Sequence, residues 1–183
     1  AYKIAYVILE TSSEQKQEAL TYLDQWLASD VSFGQMVEYL PHCTDGQFVN
    51  FLMQVLPRWL KYRVAEIPAE LLAALKEIIF HSDFENKFAS VTNFRKFLSY
   101  VRVCVMWQLY PENWPNFWDE FLSYQPETII LFLLEFAYFS QNFMSQENKN
   151  RYTVIKDAMR ADESDAKLIV FILSNLNTSP SFC

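Results

Sequence analysis

Glycine is almost missing from this chain, since only Gly34 and Gly46 occur among its 183 residues. Glycine-rich phosphate loops, dinucleotide-binding folds and hairpin-rich β architectures all need glycine, either at positive φ or where two backbones approach closely. The scarcity therefore argues against the nucleotide-binding folds that depend on such loops, and against a β-rich fold.

Cysteine and histidine are also scarce, and those present are scattered. Cys43, Cys104 and Cys183 stand alone without a CxxC spacing, which argues against zinc and disulfide frameworks and fits a reducing compartment. His42 and His81 fall in predicted loops, with no carboxylate at a spacing that suggests a catalytic pair. No P-loop, HExxH, GxSxG or EF-hand pattern occurs. The sequence therefore predicts neither an enzyme nor a metal or cofactor site.

Basic residues are fewer than acidic ones, and the chain has a formal net charge of −7 at pH 7. No stretch is basic enough to hold a nucleic acid by charge alone. An acidic surface suits a basic protein partner through electrostatic steering, and a merely solvated acidic surface is the alternative.

The most apolar run, Thr128–Met144, is interrupted by Glu135 and Gln141. It is short for a membrane span, so it predicts a buried helix and no membrane insertion.

The chain is rich in apolar residues that follow a helical period. Hydrophobic residues make up 51% of the sequence and aromatic residues 17%, which predicts an ordered fold. Apolar side chains recur every three or four residues almost throughout, as they do on the buried face of a helix. The predicted helices are Glu14–Ala28, Ser32–Leu40, Phe48–Tyr62, Pro68–Phe80, Phe88–Leu109, Trp114–Ser123, Pro126–Phe143, a helix that ends near Arg160, and Ala166–Leu176.

Polar segments separate these helices. His81–Lys87 is predicted to be a loop, and Ser145–Arg151 is a polar stretch before the helix that ends near Arg160. A serine or threonine followed three residues later by glutamine predicts a capping box, because the two side chains satisfy free amides at a helix start. Three such pairs occur: Ser12 with Gln15, Ser32 with Gln35, and Thr44 with Gln47.

The longer helices begin near residues 13, 45, 87 and 126, so their spacings are 32, 42 and 39 residues. HEAT-type repeats are antiparallel helix pairs that recur at about 40–47 residues. A short first spacing is expected of an atypical terminal repeat. The sequence therefore predicts an all-α fold, a right-handed α-solenoid of three to four HEAT-type helix pairs. The alternative is an irregular helical bundle, which the spacing alone does not exclude.

The segment Gln108–Leu122 predicts a tight corner between two helices. Pro111 ends the first helix, because the residue before a proline disfavours helical geometry. Asn113 is placed to cap the second helix, and Pro115 lies early in it, where a missing amide hydrogen costs nothing. The aromatic residues of this corner predict burial between helices, with a partner hot spot or base stacking as the alternatives. They are Trp114, Phe117, Trp118 and Phe121.

Several segments resemble the importin-β-like transport receptors, the karyopherins. Asn113–Phe117 with Glu120–Leu122 resembles the Trp-Pro corner in the third N-terminal HEAT repeat of that family. Phe51–Leu56, running on to Lys61–Arg63, resembles an early helix of the exportins. Ile155–Arg160 resembles a segment particular to the tRNA exportins, or exportin-T. The closest resemblance is therefore to the N-terminal HEAT-repeat region of a tRNA export receptor.

The resemblance covers about Ser13–Leu173, and it implies that residues 1–183 are one N-terminal segment of a longer solenoid. The implied partners are the small GTPase Ran in its GTP form, tRNA bound through the full-length receptor, and nuclear pore proteins. Such a receptor shuttles between nucleus and cytoplasm, and it binds cargo and Ran-GTP cooperatively. Tyr110–Glu112 is closer to the general karyopherin pattern than to the form expected of exportin-T. Another karyopherin with a different RNA or protein cargo is therefore an alternative, as is a helical scaffold unrelated to transport.

In karyopherins the second helix of each pair tends to line the concave face. The resemblance thus implies a Ran-GTP interface on carboxylates of those helices, namely Glu38, Glu77, Asp119 and Glu120. It also suggests that Lys156 and Arg160 contact tRNA phosphates, unless they pair with Asp157 or Asp162. The alternative for each carboxylate is that it only faces solvent. Trp114, Pro115 and Phe117 are expected to be structural.

Overall fold

The computed structural model describes residues 13–142 and 145–176, and within these ranges the chain forms helices and no β-strand. The all-α prediction is confirmed for this part of the chain, whereas Ser12, Phe143 and Cys183 lie outside it. The α-helices of the described residues are α1 (Ser13–Ala28), α2 (Ser32–Tyr39), α3 (Gly46–Tyr62), α4 (Ala69–Ile79), α5 (Ser82–Lys87), α6 (Phe94–Leu109), α7 (Phe117–Phe121), α8 (Pro126–Asn142), α9 (Gln146–Ala161) and α10 (Ser164–Leu176).

The chain divides into two compact units, Ala1–Arg102 and Val103–Cys183, and the division falls inside α6. In the first unit α2 is central, since it contacts α1, α3 and α4. Phe33, Met36 and Val37 of α2 are buried, because they share the apolar face of this short helix. Nine buried residues of α3, from Phe48 to Leu60, supply the largest share of this core.

The second unit has an aromatic core. Phe117 and Phe121 of α7 stack with their ring centroids 5.2 Å apart. Phe132 of α8 lies 5.5 Å from Phe117 and 4.5 Å from Phe121, again between ring centroids. Such pairs add to the free energy of burial, and all three rings are fully buried. α9 and α10 contact each other in the same unit.

Gly46 is needed because two segments approach closely at the start of α3. A β-carbon at this position would lie 2.5 Å from Cγ2 of Val91, which is well inside normal contact. Val91 belongs to the turn that precedes α6. A larger residue at position 46 would therefore force the Val91 side chain, or the turn that carries it, to move.

Two predicted capping boxes are wrong. The N-cap of α2 is Val31, with no side-chain hydrogen bond, and the Ser32 hydroxyl donates back to the carbonyl of Ser29 at 3.1 Å. Gln35 accepts a 2.7 Å hydrogen bond from the indole N–H of Trp26. Both side chains thus connect α2 to the end of α1. At α3 the cap is Asp45, whose carboxylate accepts the amides of Gln47 and Phe48 at 2.8 and 3.0 Å.

The loop predicted at His81–Lys87 is wrong, because these residues contain the helix α5. His81 caps the helix, and its Nδ1 accepts the amide hydrogen of Asp83 at 3.3 Å. Phe84 and Glu85 are both buried, although the segment looks polar in sequence. The Glu85 carboxylate is buried because Arg102 of α6 donates to it at 2.6 Å. A contact 17 residues away therefore stabilises a helix that its local composition does not predict.

The helix predicted from Phe88 begins six residues later, at Phe94. Asn93 has a φ of 63°, in the left-handed region that asparagine tolerates better than most residues. It interrupts the helical pattern, so the preceding residues form turns. By contrast, the polar stretch Ser145–Arg151 is mostly helical, since the Ser145 hydroxyl accepts the amide of Asn148 and starts α9.

Candidate functional site

The aromatic corner of the second unit is buried, as predicted. Helix α6 ends at Leu109, two residues before Pro111. Tyr110, which lies between them, is fully buried. Trp114 and Phe117 are buried with their ring centroids 4.9 Å apart, while Pro115 is exposed. Trp114 and Phe117 therefore lie in the core, whereas Pro115 does not. The aromatic rings of the corner form core and leave little surface for a partner.

The predicted cap of this corner is wrong. The short helix α7 begins at Phe117, and its N-cap is Asn116, which makes no capping hydrogen bond through its side chain. Asn113 instead donates its backbone amide to the carbonyl of Leu109 at 2.8 Å. Pro115 precedes the helix and is not part of it. The corner is closed by its backbone and by its aromatic side chains.

Arg151 of α9 holds the end of α6 in place. Its Nε donates to the carbonyl of Trp107 at 2.9 Å, and its Nη2 donates to the carbonyl of Tyr110. Its Nη1 donates to both carboxylate oxygens of Glu112, at 2.7 and 2.8 Å. The last carbonyls of a helix have no partner within the helix, and its C-terminus favours a cation. A planar guanidinium satisfies both requirements at once.

Two carboxylates complete this arrangement. Partial burial opposes ionisation of Glu112, but hydrogen bonds from Arg151 and from its own backbone outweigh it and hold the pKa of Glu112 below its usual value. Asp162 accepts the Tyr110 hydroxyl at 3.1 Å through one oxygen and the Ser164 amide at 2.9 Å through the other. Burial, together with the Asp162 charge, raises the pKa of Tyr110.

Two arginines of the first unit make the same kind of contact with a helix end and a carboxylate. Arg63 donates to the carbonyls of Leu27 and Ala28 at the end of α1, at 3.2 and 3.0 Å, and to Asp30 at 2.9 Å. Arg102 donates to the carbonyl of Ile79 at the end of α4, at 2.8 Å, and to Glu85. We call these three contacts the arginine clamps. Each is an arginine (Arg63, Arg102 or Arg151) that binds the end of an earlier helix and a carboxylate.

The predicted acidic residues of the first unit are exposed. Glu38 lies on α2 and Glu77 on α4, two helices in contact with each other. Glu77 also lies 3.2 Å from Lys76, measured between its carboxylate and the ammonium group. It lines an open cavity of about 350 Å³, together with Ile78 and Phe84. These two carboxylates are accessible to a partner.

The predicted acidic residues of the second unit contact other side chains of that unit. Asp119 forms an ion pair with Lys167 of α10, and this contact raises the pKa of the Lys167 ammonium group. Glu120 accepts a 2.8 Å hydrogen bond from the indole N–H of Trp114. Both carboxylates contact other elements of the unit, whereas the ion pair of Glu77 is with the adjacent Lys76.

The two predicted phosphate contacts lie one turn apart on α9. The ammonium group of Lys156 lies 4.9 Å from the ring centroid of Tyr152. Arg160 is exposed and lies 3.5 Å from the carboxylate of Asp157, which is the ion pair that the sequence leaves open. Exposed ion pairs of this kind contribute little free energy, so a phosphate would displace Asp157 easily.

Within the described ranges, no group of three or more His, Cys, Asp or Glu side chains is arranged to hold a metal ion. No helix among those residues is both long and apolar enough to cross a membrane. Cys43 and Cys104 are buried, and burial raises the pKa of Cys43.

No protein-family model matches this chain, and no curated protein matches it at a significant level.

Proposed function

We propose that this chain is the N-terminal, Ran-GTP-binding part of a nuclear export receptor that carries tRNA from the nucleus to the cytoplasm. The observation that carries the proposal is the contact between α2 and α4, each of which has an exposed carboxylate, Glu38 and Glu77. In a solenoid, the second helices of successive pairs lie side by side and form one surface. We assign α2 and α4 to those positions in the first two predicted pairs.

A HEAT-type solenoid is the arrangement on which this proposal depends. The arginine clamps support it, because a later segment closes the end of an earlier helix in the same way three times. Short-range contacts between neighbouring pairs are what a repeat protein uses for its stability. The same proposal implies that residues 1–183 are one segment of a longer solenoid.

The proposed contacts with Ran are Glu38 and Glu77 in the first unit. Asp119 and Glu120 of the second unit are proposed as weaker contacts because of their internal partners. With a net charge of −7, the chain would attract a basic surface and orient it before contact. The nucleotide chemistry would belong to Ran, so the chain itself would be a binding protein and not an enzyme.

Binding to Ran loaded with a non-hydrolysable GTP analogue tests the proposal, with Ran-GDP as the nucleotide control. We expect binding only in the GTP-like state. The charge reversals E38K and E77K should each weaken it about tenfold, mainly through slower association. D24K is the matched control, since Asp24 is an exposed carboxylate on α1, the first helix of its pair. Binding that ignores the nucleotide, or an equal loss in D24K, would reject the interface.

The tRNA cargo is tested separately. Lys156 and Arg160 would position phosphates, as the resemblance of Ile155–Arg160 to exportin-T implies. We expect tRNA and Ran-GTP to strengthen each other's binding, and R160E to lower the salt dependence of tRNA binding by about one counterion. Binding of a microRNA precursor or a leucine-rich peptide in place of tRNA would indicate another karyopherin. Shuttling and contacts with nuclear pore proteins are part of the same proposal.

A further inference from the structure

The charged residues of α3 and α6 are all basic. These two helices carry five of the fifteen lysine and arginine residues of the chain and none of its 22 aspartate and glutamate residues. Of the five, Arg102 is buried in its clamp, and Arg95 approaches the carboxylate of Glu85 at 3.6 Å. The other three form a surface that we call the basic stripe. They are Arg58 and Lys61 of α3 and Lys96 of α6.

Helices α3 and α6 lie side by side and run in the same direction. Near their starts, the side-chain amide of Asn50 donates to the carbonyl of Thr92 at 3.2 Å. At the end of α3, the Lys61 ammonium group donates to the Tyr100 hydroxyl and lies 4.6 Å from the centroid of that ring. Residues three or four positions apart share a helix face. The exposed residues that lie between the two contacts on these faces are Gln54 and Arg58 of α3 and Lys96 of α6.

The basic stripe is not neutralised by its neighbours. Among residues 13–142 and 145–176, the ion pairs do not include Arg58 or Lys96. The carboxylates that flank the two helices in sequence are engaged elsewhere. Asp45 caps α3, whereas Glu66 and Glu85 pair with clamp arginines. Uncompensated cations on one surface attract anions, so the ligand of this surface must be acidic.

We propose that the basic stripe binds an extended, aspartate- and glutamate-rich segment of a partner protein. From Asn50 to Lys61 the surface is about 16 Å long, at a helical rise of 1.5 Å per residue. An extended chain rises about 3.3 Å per residue, so about five residues would span this length. Every second side chain would point toward the stripe. The planar guanidinium of Arg58 can bind a carboxylate through two hydrogen bonds.

A short acidic peptide fits the stripe better than RNA does. The chain as a whole has a net charge of −7, so it repels a long polyanion that extends beyond the stripe. Single-stranded RNA is also bound by stacking its bases on exposed aromatic rings. The ring between the two helices, Tyr100, is half-buried against the ammonium group of Lys61.

This inference goes beyond the proposed function and does not require Ran or tRNA binding. The proposed Ran contacts lie on second helices of the predicted pairs, whereas α3 and α6 correspond to first helices. In a solenoid, first and second helices form different surfaces. An acidic partner would therefore occupy a surface that the proposed Ran contacts do not use.

Fluorescence anisotropy tests the inference with the whole chain and a fluorescein-labelled peptide of six residues, in which glutamate and serine alternate. We expect a dissociation constant on the order of 100 μM at about 0.05 M salt. R58E and K96E should each weaken binding about tenfold, because each replaces an attraction by a repulsion. K149E is the matched control, since Lys149 is exposed on α9 and its reversal changes the net charge equally.

No binding up to about 1 mM would overturn the inference, as would an equal loss in K149E. Equal binding of a glutamine–serine peptide would also overturn it. Circular dichroism checks that the variants are folded, and R58Q and K96Q replace any that are not.

A labelled RNA of six uridylates is the second arm of the experiment. If it binds more tightly than the acidic peptide and R58E removes this binding, RNA is the ligand and the inference is wrong. Y62A removes a ring that is 79% exposed on α3 and is available for stacking, so it should leave peptide binding unchanged. A loss in Y62A as large as that in R58E would contradict binding by charge.

Discussion

Arg102 carries a positive charge that is only 1% exposed to water. Its guanidinium donates to the Ile79 carbonyl and to the Glu85 carboxylate, which is itself buried. Removing one member of a buried ion pair is strongly destabilising, because the other charge stays in a poorly hydrated place. Replacing both members by apolar residues is often neutral.

R102M should therefore lower the free energy of unfolding by about 3 kcal/mol, and R102M/E85M should recover much of this loss. The matched control is R95M, because Arg95 also approaches Glu85, at 3.6 Å, but is 45% exposed. R95M should cost less than about 1 kcal/mol. Urea unfolding followed by tryptophan fluorescence measures these differences. Equal costs for R102M and R95M would contradict the role given to burial.

Tyr110 makes the stability of the protein fall as the pH rises in the alkaline range. Its pKa is raised above the ordinary value of 10, first by burial and then by the charge of Asp162. An unfolded chain would therefore lose this proton first. The contribution of Tyr110 is fully present below pH 10 and is lost as the pH rises above it.

Y110F should cost about 1 kcal/mol of unfolding free energy near pH 8, since the hydrogen bond to Asp162 is lost. Above pH 10 its stability should fall less steeply than that of the parent protein, so the two curves converge. Urea unfolding at a series of pH values measures both effects. Y62F removes a tyrosine that is 79% exposed and serves as the control. Parallel curves for Y110F and the parent would contradict the assignment.

At the scale of the element, the start of α3 distinguishes two neighbouring residues. The carboxylate of Asp45 accepts two backbone amides, and an ionised acceptor also interacts favourably with the N-terminus of a helix. Thr44 lies one residue earlier and is exposed. The choice between them depends on the exact position at which the helix begins.

D45A should lower the free energy of unfolding by about 1 kcal/mol, whereas T44A should change it by less than about 0.5 kcal/mol. Thermal unfolding by circular dichroism gives both values. D45N should retain most of the stability, because asparagine caps a helix nearly as well as aspartate. A larger loss in T44A than in D45A would restore the capping box predicted from Thr44 and Gln47.

Long, strongly apolar helices could be predicted from the sequence, because their signal lies within the helix itself. The range predicted as Phe48–Tyr62 is observed as Gly46–Tyr62, and the helix predicted from Pro126 begins at that residue. The helix α5 could not be predicted, since Glu85 is buried only by a partner from α6. The start of α6 was missed because Asn93 adopts a left-handed conformation that its residue type permits without requiring.

The candidate site could be predicted only in part, for a related reason. Exposure of Glu38 and Glu77 follows from their places on amphipathic helices. The partner of Asp119 is a lysine 48 residues away, which no local pattern indicates. The arginine clamps are harder still, because arginine is bound there by backbone carbonyls, and every residue has one.

At the scale of the whole molecule, the net charge of −7 would attract the basic surface of the partner that we propose. Salt screens this attraction. Raising the salt concentration from about 0.05 to 0.5 M at pH 7 should therefore slow the association with Ran-GTP several-fold. Surface plasmon resonance measures the association rate. A rate that does not change with salt would contradict the role given to the acidic surface.

The arginine clamps also affect how the protein is made. Arg63, Arg102 and Arg151 follow the carbonyls that they bind by 36, 23 and 44 residues. During translation, α1, α4 and α6 are therefore synthesised before the residue that secures each one has been added. Each of these three helices is secured only after a later codon has been translated. A ribosome that stalls just before one of these arginines would hold a chain whose newest clamped helix is still open at its end.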